Sequence, residues 1–270
     1  GDGKLFEFIN KGLLPHLHAL VVDTRTVLPN PAASRKQRII GRIMTAVERV
    51  RVDDEANLRD ILDRVHEINI DHVDDTHFFT LSQVYEDLLL KMGEKNSDGG
   101  QFFTPREVIR AMVHTINPSL GQTVYDPCCG TGGFLAVAYE HIAQTLGQAP
   151  SSTDLDKLKH DTFFGREKEN LVFPIALANV VLHGIDQPNL WHGNALTKRA
   201  TYAALFHQAP AQFDVILTNP PFGGKEGKEA QKNFAFETGS TQVLFVQDIL
   251  GELAPGGTCG IVLDEGLLFR

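Results

Sequence analysis

The chain has 270 residues, 42% of them hydrophobic, and a formal net charge of −9. It is long enough for one large domain, or a medium one plus a smaller one, and its acidic balance makes any nucleic-acid contact local or delegated to a partner. The longest apolar-leaning run, Leu171 to Ile185, is broken by Pro174, Asn179 and His183 and is too short to span a bilayer, so no membrane role is expected.

Cys128 and Cys129 are adjacent and Cys259 is distant, which gives neither a disulfide framework nor a zinc spacing. A reducing, cytoplasmic compartment is therefore expected. No charged stretch followed by an apolar one opens the chain, so a secretory leader is not expected.

The first part reads as helices. Leu5–Leu20, Arg35–Val52, Leu58–Ile68 and Leu81–Met92 carry apolar residues at three- and four-residue spacings. Lys36 to Arg51 holds Lys36, Arg38, Arg42, Arg49 and Arg51 against Glu48, either a solvated helix face or a patch for a nucleic-acid backbone. The polar, glycine-containing break at Gly93–Gly100 divides a helical domain, 1–98, from a second domain, 99–270.

From Gln101 onward short β-rich runs alternate with helical runs, the pattern of an α/β fold with a doubly wound, Rossmann-like sheet. Strands are expected at Thr123–Tyr125, Thr162–Gly165, Leu190–His192, Phe213–Thr218 and Thr258–Leu263. Helices are expected at Pro105–Thr115, Gly132–Gln144, Glu169–Leu182 and Thr241–Leu253.

The chemistry-bearing residues lie at the ends of those strands. Ahead of the first one comes Gln101-Phe102-Phe103-Thr104-Pro105-Arg106. Thr104, Pro105 and Glu107 fit a helix N-cap, a first-turn proline and a capping box, which leaves the glutamine and the two aromatics unexplained. The first strand runs into Asp126-Pro127-Cys128-Cys129-Gly130-Thr131-Gly132-Gly133-Phe134. This glycine loop opens a helix whose free N–H groups and small residues let a ligand approach closely. Its spacing is neither a phosphate loop nor the dinucleotide fingerprint, and Asp126 suits a cationic or amino-bearing ligand. Glu167 stands at the tip of the second strand, where a doubly wound sheet holds ribose hydroxyls. Asn194, followed by Ala195, stands at the tip of the third and either reads an adenine edge or merely makes a turn. Pro127-Cys128 imitates the nucleophile dipeptide of cytosine-C5 methylation, but it sits in the glycine loop, so buried and inert thiols are expected.

Asn219-Pro220-Pro221-Phe222 follows Phe213–Thr218. Two prolines stop the strand and force extended backbone on the residues before them. The product is a stiff arm carrying an amide, an exposed carbonyl and an aromatic ring.

Taken in this order, the QFFTPR segment, the DPCCGTGGF loop and the NPPF arm resemble the amino-methylating, S-adenosylmethionine-dependent DNA methyltransferases. With QVYEDLLLKMGE (83–94) and a helical region before them, they resemble in particular the modification subunit of type I restriction–modification systems. The resemblance covers nearly the whole chain. It implies S-adenosylmethionine as cofactor, held by Gln101–Arg106, Asp126, the loop Gly130–Phe134, Glu167, Asn194 and Ala195. It implies that Asn219 and the Pro220 carbonyl accept the amino hydrogens of a flipped adenine, with Pro221 stiffening the arm and Phe222 stacking on the base. It implies double-stranded DNA, a specificity subunit and a restriction subunit as partners, with two copies of this subunit to one specificity subunit.

Cys128 stands where the family more often has a small residue such as alanine, and Asn194 where a carboxylate is common. Family members also continue past the fifth strand, so further chain is expected beyond Arg270. N4-cytosine as the methyl acceptor stays open, as do glutamine methylation of release factors and a non-catalytic scaffold.

Overall fold

The structure is a computed structural model that describes residues 4–21, 30–44, 49–50, 52–67, 104–147, 149–185, 188–200 and 210–269. Two compact units emerge, Gly1–Ser82 and Gln83–Arg270. The expected break at Gly93–Gly100, the helix at Leu81–Met92 and the residues Gln101, Phe102 and Phe103 lie outside the described residues.

The first unit is helical. The stretch from Lys4 to Val21 is one winding rod: α1 (Lys4–Glu7), a π-helical stretch (Phe8–Leu13) and α2 (Leu14–Val21). Pro15 explains the wider winding, because it has no N–H for the carbonyl of Lys11 and its ring crowds that carbonyl. Helices α3 (Arg35–Met44) and α4 (Glu55–Glu67) follow. Glu55 Oε1 accepts the N–H groups of Leu5 and Phe6 at 2.6 and 3.0 Å, satisfying free donors at the start of α1. Ile9, Leu14 and Leu58 form the small core. A Cβ on Gly41 would stand 2.7 Å from the Leu17 carbonyl oxygen, so only glycine lets α2 and α3 pack this closely. Of the basic residues on α3, Arg38 is committed to structure: it donates to the carbonyls of Asn30 and Ala33.

The second unit is built on a six-stranded sheet: β1 (Val124–Asp126), β2 (Phe163–Glu167), β3 (Asn189–Asn194), β4 (Arg199–Ala200), β5 (Phe213–Thr218) and β6 (Leu253–Ile261). Their order is β4-β3-β2-β1-β5-β6. All neighbours are parallel except β3 and β4. The helices are α5 (Arg106–Ile116), α6 (Gly133–Thr145), α7 (Ser152–His160), α8 (Phe173–Leu182), α9 (Lys228–Gln231), α10 (Thr241–Glu252) and α11 (Gly266–Phe269). This is the doubly wound α/β sheet that the alternation predicts. The five expected strands are present to within a few residues, except that the last begins earlier, at Leu253, on an irregular pairing with Phe213. The expected helix from Glu169 starts at Phe173, after a turn.

The order of strands reverses at β1. The chain moves from β1 through β2 to β3 on one side, then returns to place β5 on the other. Such a reversal opens a crevice at the carboxyl ends of the central strands. Tyr125 stacks on Phe213 across that central pair with ring centroids 4.1 Å apart, and Phe164 leans on the same ring at 5.4 Å. At the opposite end of the pair, Asp214 Oδ2 accepts from the Thr123 N–H at 2.8 Å and its hydroxyl at 2.9 Å, while the Asp214 N–H donates to that hydroxyl at 3.0 Å. A partly buried charge network joins α10 to the end of β3. Lys198 pairs with Asp248 and Glu252, and Arg166 lies 3.6 Å from Glu252 and 4.0 Å over the Trp191 ring. Among the described residues no helix is long and apolar enough to cross a membrane.

Candidate active site

The glycine loop is shaped first by its own packing. Gly130 and Gly132 have φ of 54° and 82°, which disfavour any side chain. A Cβ on Gly132 would also meet Val180 of α8 at 2.9 Å, and one on Gly133 would meet Ile109 of α5 at 2.9 Å. Helix α6 begins at Gly133 with no side-chain cap, so its first N–H groups stay available.

The loop is then pinned from three sides. The Cys129 N–H donates to the Arg166 carbonyl at 2.9 Å, the Gly130 N–H donates to Glu167 Oε2 at 2.9 Å, and Asn179 Nδ2 donates to the Thr131 carbonyl at 2.8 Å. Glu167 also accepts the Glu169 N–H on Oε1 at 2.7 Å. Despite these donors, burial pushes its carboxyl up to about 7.

Asp126 is the second buried carboxylate. Oδ1 accepts from the Thr218 hydroxyl at 2.7 Å and from the Cys128 N–H at 3.0 Å, while Oδ2 is buried without a partner. Burial pushes this carboxyl up to about 7 as well. The two desolvated acids prefer a cationic ligand or hydroxyl donors, while the uncapped start of α6 prefers an acceptor.

The arm leaves β5 at Thr218, beside the end of β1. Asn219 Nδ2 donates to the Thr104 hydroxyl at 3.0 Å, and Asn219 Oδ1 is buried without a partner. Pro220 is buried, and Phe222 stands 45% exposed. Gly224, at φ 91°, turns the chain into a small excursion closed by bridging of Lys225 to Ser240.

Thr104, Asp126, Gly130, Thr131, Gly133, Phe134, Glu167, Asn194, Asn219 and Pro221 line one cavity of about 420 Å³. Pro105, Arg106, Gly132, Ala195, Pro220 and Phe222 do not line it. Pro105 and Arg106 start α5, and Ala195 is buried within a short 3-10 turn.

One sequence expectation is corrected and one stays open. Thr104 is not the cap of α5: the capping position is Pro105, without a side-chain bond, and the Thr104 hydroxyl serves Asn219 instead. Asn194 is occupied by local structure, because Oδ1 accepts the Leu196 N–H at 2.9 Å and Nδ2 donates to Glu226 at 3.3 Å. Its amide caps the turn, and Asn194 also lines the cavity, so both alternatives stand.

The cavity also recruits Lys168, Glu169, Lys225 and Glu226, which no motif singled out. Lys168 and Glu169 follow Glu167 directly, so the strand tip was their only signal. Cys128 lines the cavity, but burial and the neighbouring Asp126 and Glu167 carboxylates hold its thiol well above the usual range. It is a poor nucleophile there. Among the described residues, no three His, Cys, Asp or Glu side chains cluster as metal ligands would.

The model of the N-6 DNA methylase family matches residues 77–270. The methylase subunit of the type I restriction enzyme EcoEI from Escherichia coli is 34% identical over 272 residues, covering 100% of this chain and 51% of that subunit. The EcoKI methylase subunit from Escherichia coli (strain K12) is 34% identical over 196 residues, covering 69% of this chain and 36% of the subunit. Among solved structures, a chain from work on complex assembly and conformational transition of the type I R-M system superposes with a TM-score of 0.76 at 35% identity, covering 99% of this chain and 51% of that one. A modification subunit from Vibrio vulnificus YJ016 superposes with a TM-score of 0.76 at 32% identity, over 95% of this chain and 51% of that one. The chain therefore spans about half the length, or less, of these relatives. A match over most of its residues, on a sheet that brings the glycine loop and the arm to one cavity, identifies the chain as a member of the N-6 DNA methylase family.

Proposed function

We propose that this chain carries the methyl-transfer centre of a site-specific DNA N6-adenine methyltransferase, acting within a type I restriction–modification complex. The observation that supports this best is the meeting of Asp126 and Asn219. Each lies at the end of one of two adjacent central strands, each lines the same cavity, and each keeps one buried oxygen without a partner. Buried acceptors without donors are costly unless a ligand completes them.

S-adenosylmethionine fits this cavity by size and by charge. Ligand cavities of drug-sized molecules run to roughly 300–1,000 Å³. The Asp126 and Glu167 carboxylates would face its cationic and hydroxyl groups, and Gly130 and Gly133 would let it approach the backbone of the loop closely. When bound, it supplies a methyl group made electrophilic by a sulfonium.

The remaining work falls to the arm. An adenine amine is a poor nucleophile because its lone pair is delocalised into the ring. Asn219 Oδ1 and the Pro220 carbonyl accept its two N–H bonds and so favour a nitrogen whose lone pair points at the methyl. Pro220 and Pro221 hold the acceptors rigid, which lowers the ordering cost. Phe222 stacks on the extruded base.

The net charge of −9 supports delegated recognition: a specificity subunit reads the DNA, and two copies of this subunit serve it, alongside a restriction subunit. The test is base analysis of DNA treated with the full-length protein, with and without its specificity subunit. N6-methyladenine at one recurring sequence, only when both are present, is the expected result. N4-methylcytosine, or methylated protein with unmodified DNA, would replace the proposal.

A further inference from the structure

Thr104 stands 115 residues from Asn219 in sequence, yet its hydroxyl is the described partner of the Asn219 amide nitrogen, at 3.0 Å. We infer that Thr104 is a positioning residue that sets which end of the Asn219 amide meets the base to be methylated. The inference rests on the proposed reading of Asn219 as an acceptor for an amino group.

An asparagine amide has two ends of nearly equal shape and opposite hydrogen-bonding sense. With the nitrogen turned toward the base, donor would face donor and the amine would be repelled. With the oxygen turned toward it, the contact is attractive. The backbone does not distinguish these two states; only the partners of the amide do. In this structure Nδ2 is engaged by Thr104 and Oδ1 is left buried and open, the arrangement that an incoming amine requires.

A hydroxyl is by itself ambivalent, since it can donate as well as accept. Its second bond removes the ambiguity. Thr104 also lines the cavity, so its proton remains available to an acceptor held there. Once that proton is given away, only oxygen lone pairs face Asn219, and the amide must present Nδ2 to Thr104. An occupied cavity therefore sharpens the orientation of the arm. The corrected role of Thr104 supports this: the hydroxyl is not used to cap α5, so it is free for the task.

Thr104→Val removes the hydroxyl and keeps the shape; Thr104→Ser keeps the hydroxyl. Both variants are compared with wild type in the full-length protein assembled with its specificity subunit. The Val variant should lower the single-turnover methylation rate roughly 10–100-fold, as expected for a misplaced reacting group. Its cofactor affinity by calorimetry should fall less than the rate does, by about the 2–10-fold of one lost hydrogen bond, and the Ser variant should recover most of both. Protein labelled with 15N-asparagine, with the Asn219 signal identified by its loss in Asn219→Ala, supplies a readout free of activity. The Asn219 side-chain protons should exchange faster with solvent in Thr104→Val than in wild type or Thr104→Ser. A Val variant with the wild-type rate, a Ser variant as slow as Val, or unchanged exchange would each overturn the inference. A loss confined to cofactor affinity would make Thr104 a ligand contact instead. Wild-type protein that transfers no methyl to DNA would defeat the underlying function, while the exchange result would still report on the contact itself.

Discussion

Glu167 holds the N–H of Gly130 on one carboxylate oxygen at 2.9 Å and the N–H of Glu169 on the other at 2.7 Å. One side chain therefore fixes the glycine loop to the tip of the neighbouring strand while also facing the cavity. Glu167→Ala should weaken S-adenosylmethionine binding and lower folding stability together, each by ~1–3 kcal/mol. Glu167→Gln should not restore either, because an amide nitrogen would oppose one of the two backbone N–H donors. Calorimetry and urea unfolding on the same preparations test the pairing; loss of affinity with unchanged stability would leave Glu167 a ligand contact only.

The raised carboxyls of Asp126 and Glu167 make stability depend on pH with a definite sign. In the unfolded chain both groups ionise near ~4; in the folded protein both sit at about 7. Between these values the folded state holds more protons than the unfolded one, so stability falls as pH rises through that window. Asp126→Asn removes one such group, and its side-chain oxygen can still accept from Thr218 and Cys128. It should therefore raise the ligand-free Tm relative to wild type at pH 8 more than at pH 5. Equal shifts at both pH values would mean that Asp126 ionises normally.

Those same groups couple ligand binding to proton release. A cationic cofactor favours the charged carboxylates, so affinity should rise from pH 5.5 to pH 7, a range in which an α-amino group stays protonated. Titration in buffers of different ionisation enthalpy measures the protons released. Asp126→Asn should reduce that number; an unchanged number would assign the release to other groups.

Asn219→Ala should lower methyl transfer in the assembled enzyme by at least roughly 100-fold while leaving cofactor affinity within a few fold. The split arises because Asn219 is read here as facing the acceptor base rather than the cofactor. Equal losses in both would move it to the cofactor side of the cavity.

Gly132→Ala tests the loop's packing independently of any ligand. The position combines φ of 82° with a 2.9 Å approach to Val180. A loss of ~1–3 kcal/mol in stability is expected from strain and crowding. A shift under ~0.5 kcal/mol in the urea midpoint analysis would show that α8 yields easily at Val180.

The doubly wound sheet was legible because its strands are apolar runs ended by unmistakable breakers, such as Pro220-Pro221 after β5. The site was legible wherever a residue sits at a strand tip: Asp126, Glu167 and Asn219 needed only the alternation of elements to be placed. Pairings between distant segments were not. Thr104 next to Pro105 carries a convincing capping signal, and only tertiary structure turns its hydroxyl to Asn219. Asn194 offers the same amide to a turn and to a ligand, and its use by the Leu196 N–H, two residues away, is local while its place in the cavity lining is not. Helix α7 escaped notice because Leu155 and Leu158 are its only large apolar residues. Yet Ser151, whose side chain accepts the Asp154 N–H at 3.1 Å, marks its start as a local cap would. Glu226 reaches the cavity from a loop whose course nothing in its composition dictates.

The clasp between Thr123 and Asp214 lies at the end of the sheet away from the cavity, yet it sets a distance inside it. It locks β1 and β5 in one register, Val124 against Val215 and Tyr125 against Ile216. The first of these strands carries the glycine loop and the second carries the arm. A slip of one residue would carry Asn219 about 3.3 Å along its strand and turn neighbouring side chains to the opposite face. That displacement equals the whole separation, about 3–3.5 Å, at which two reacting atoms are held before bond formation. On the proposed function, the clasp is thus the datum from which the gap between methyl donor and methyl acceptor is measured off. An error there would be read out in the chemistry, with every residue around the cavity still in its wild-type identity.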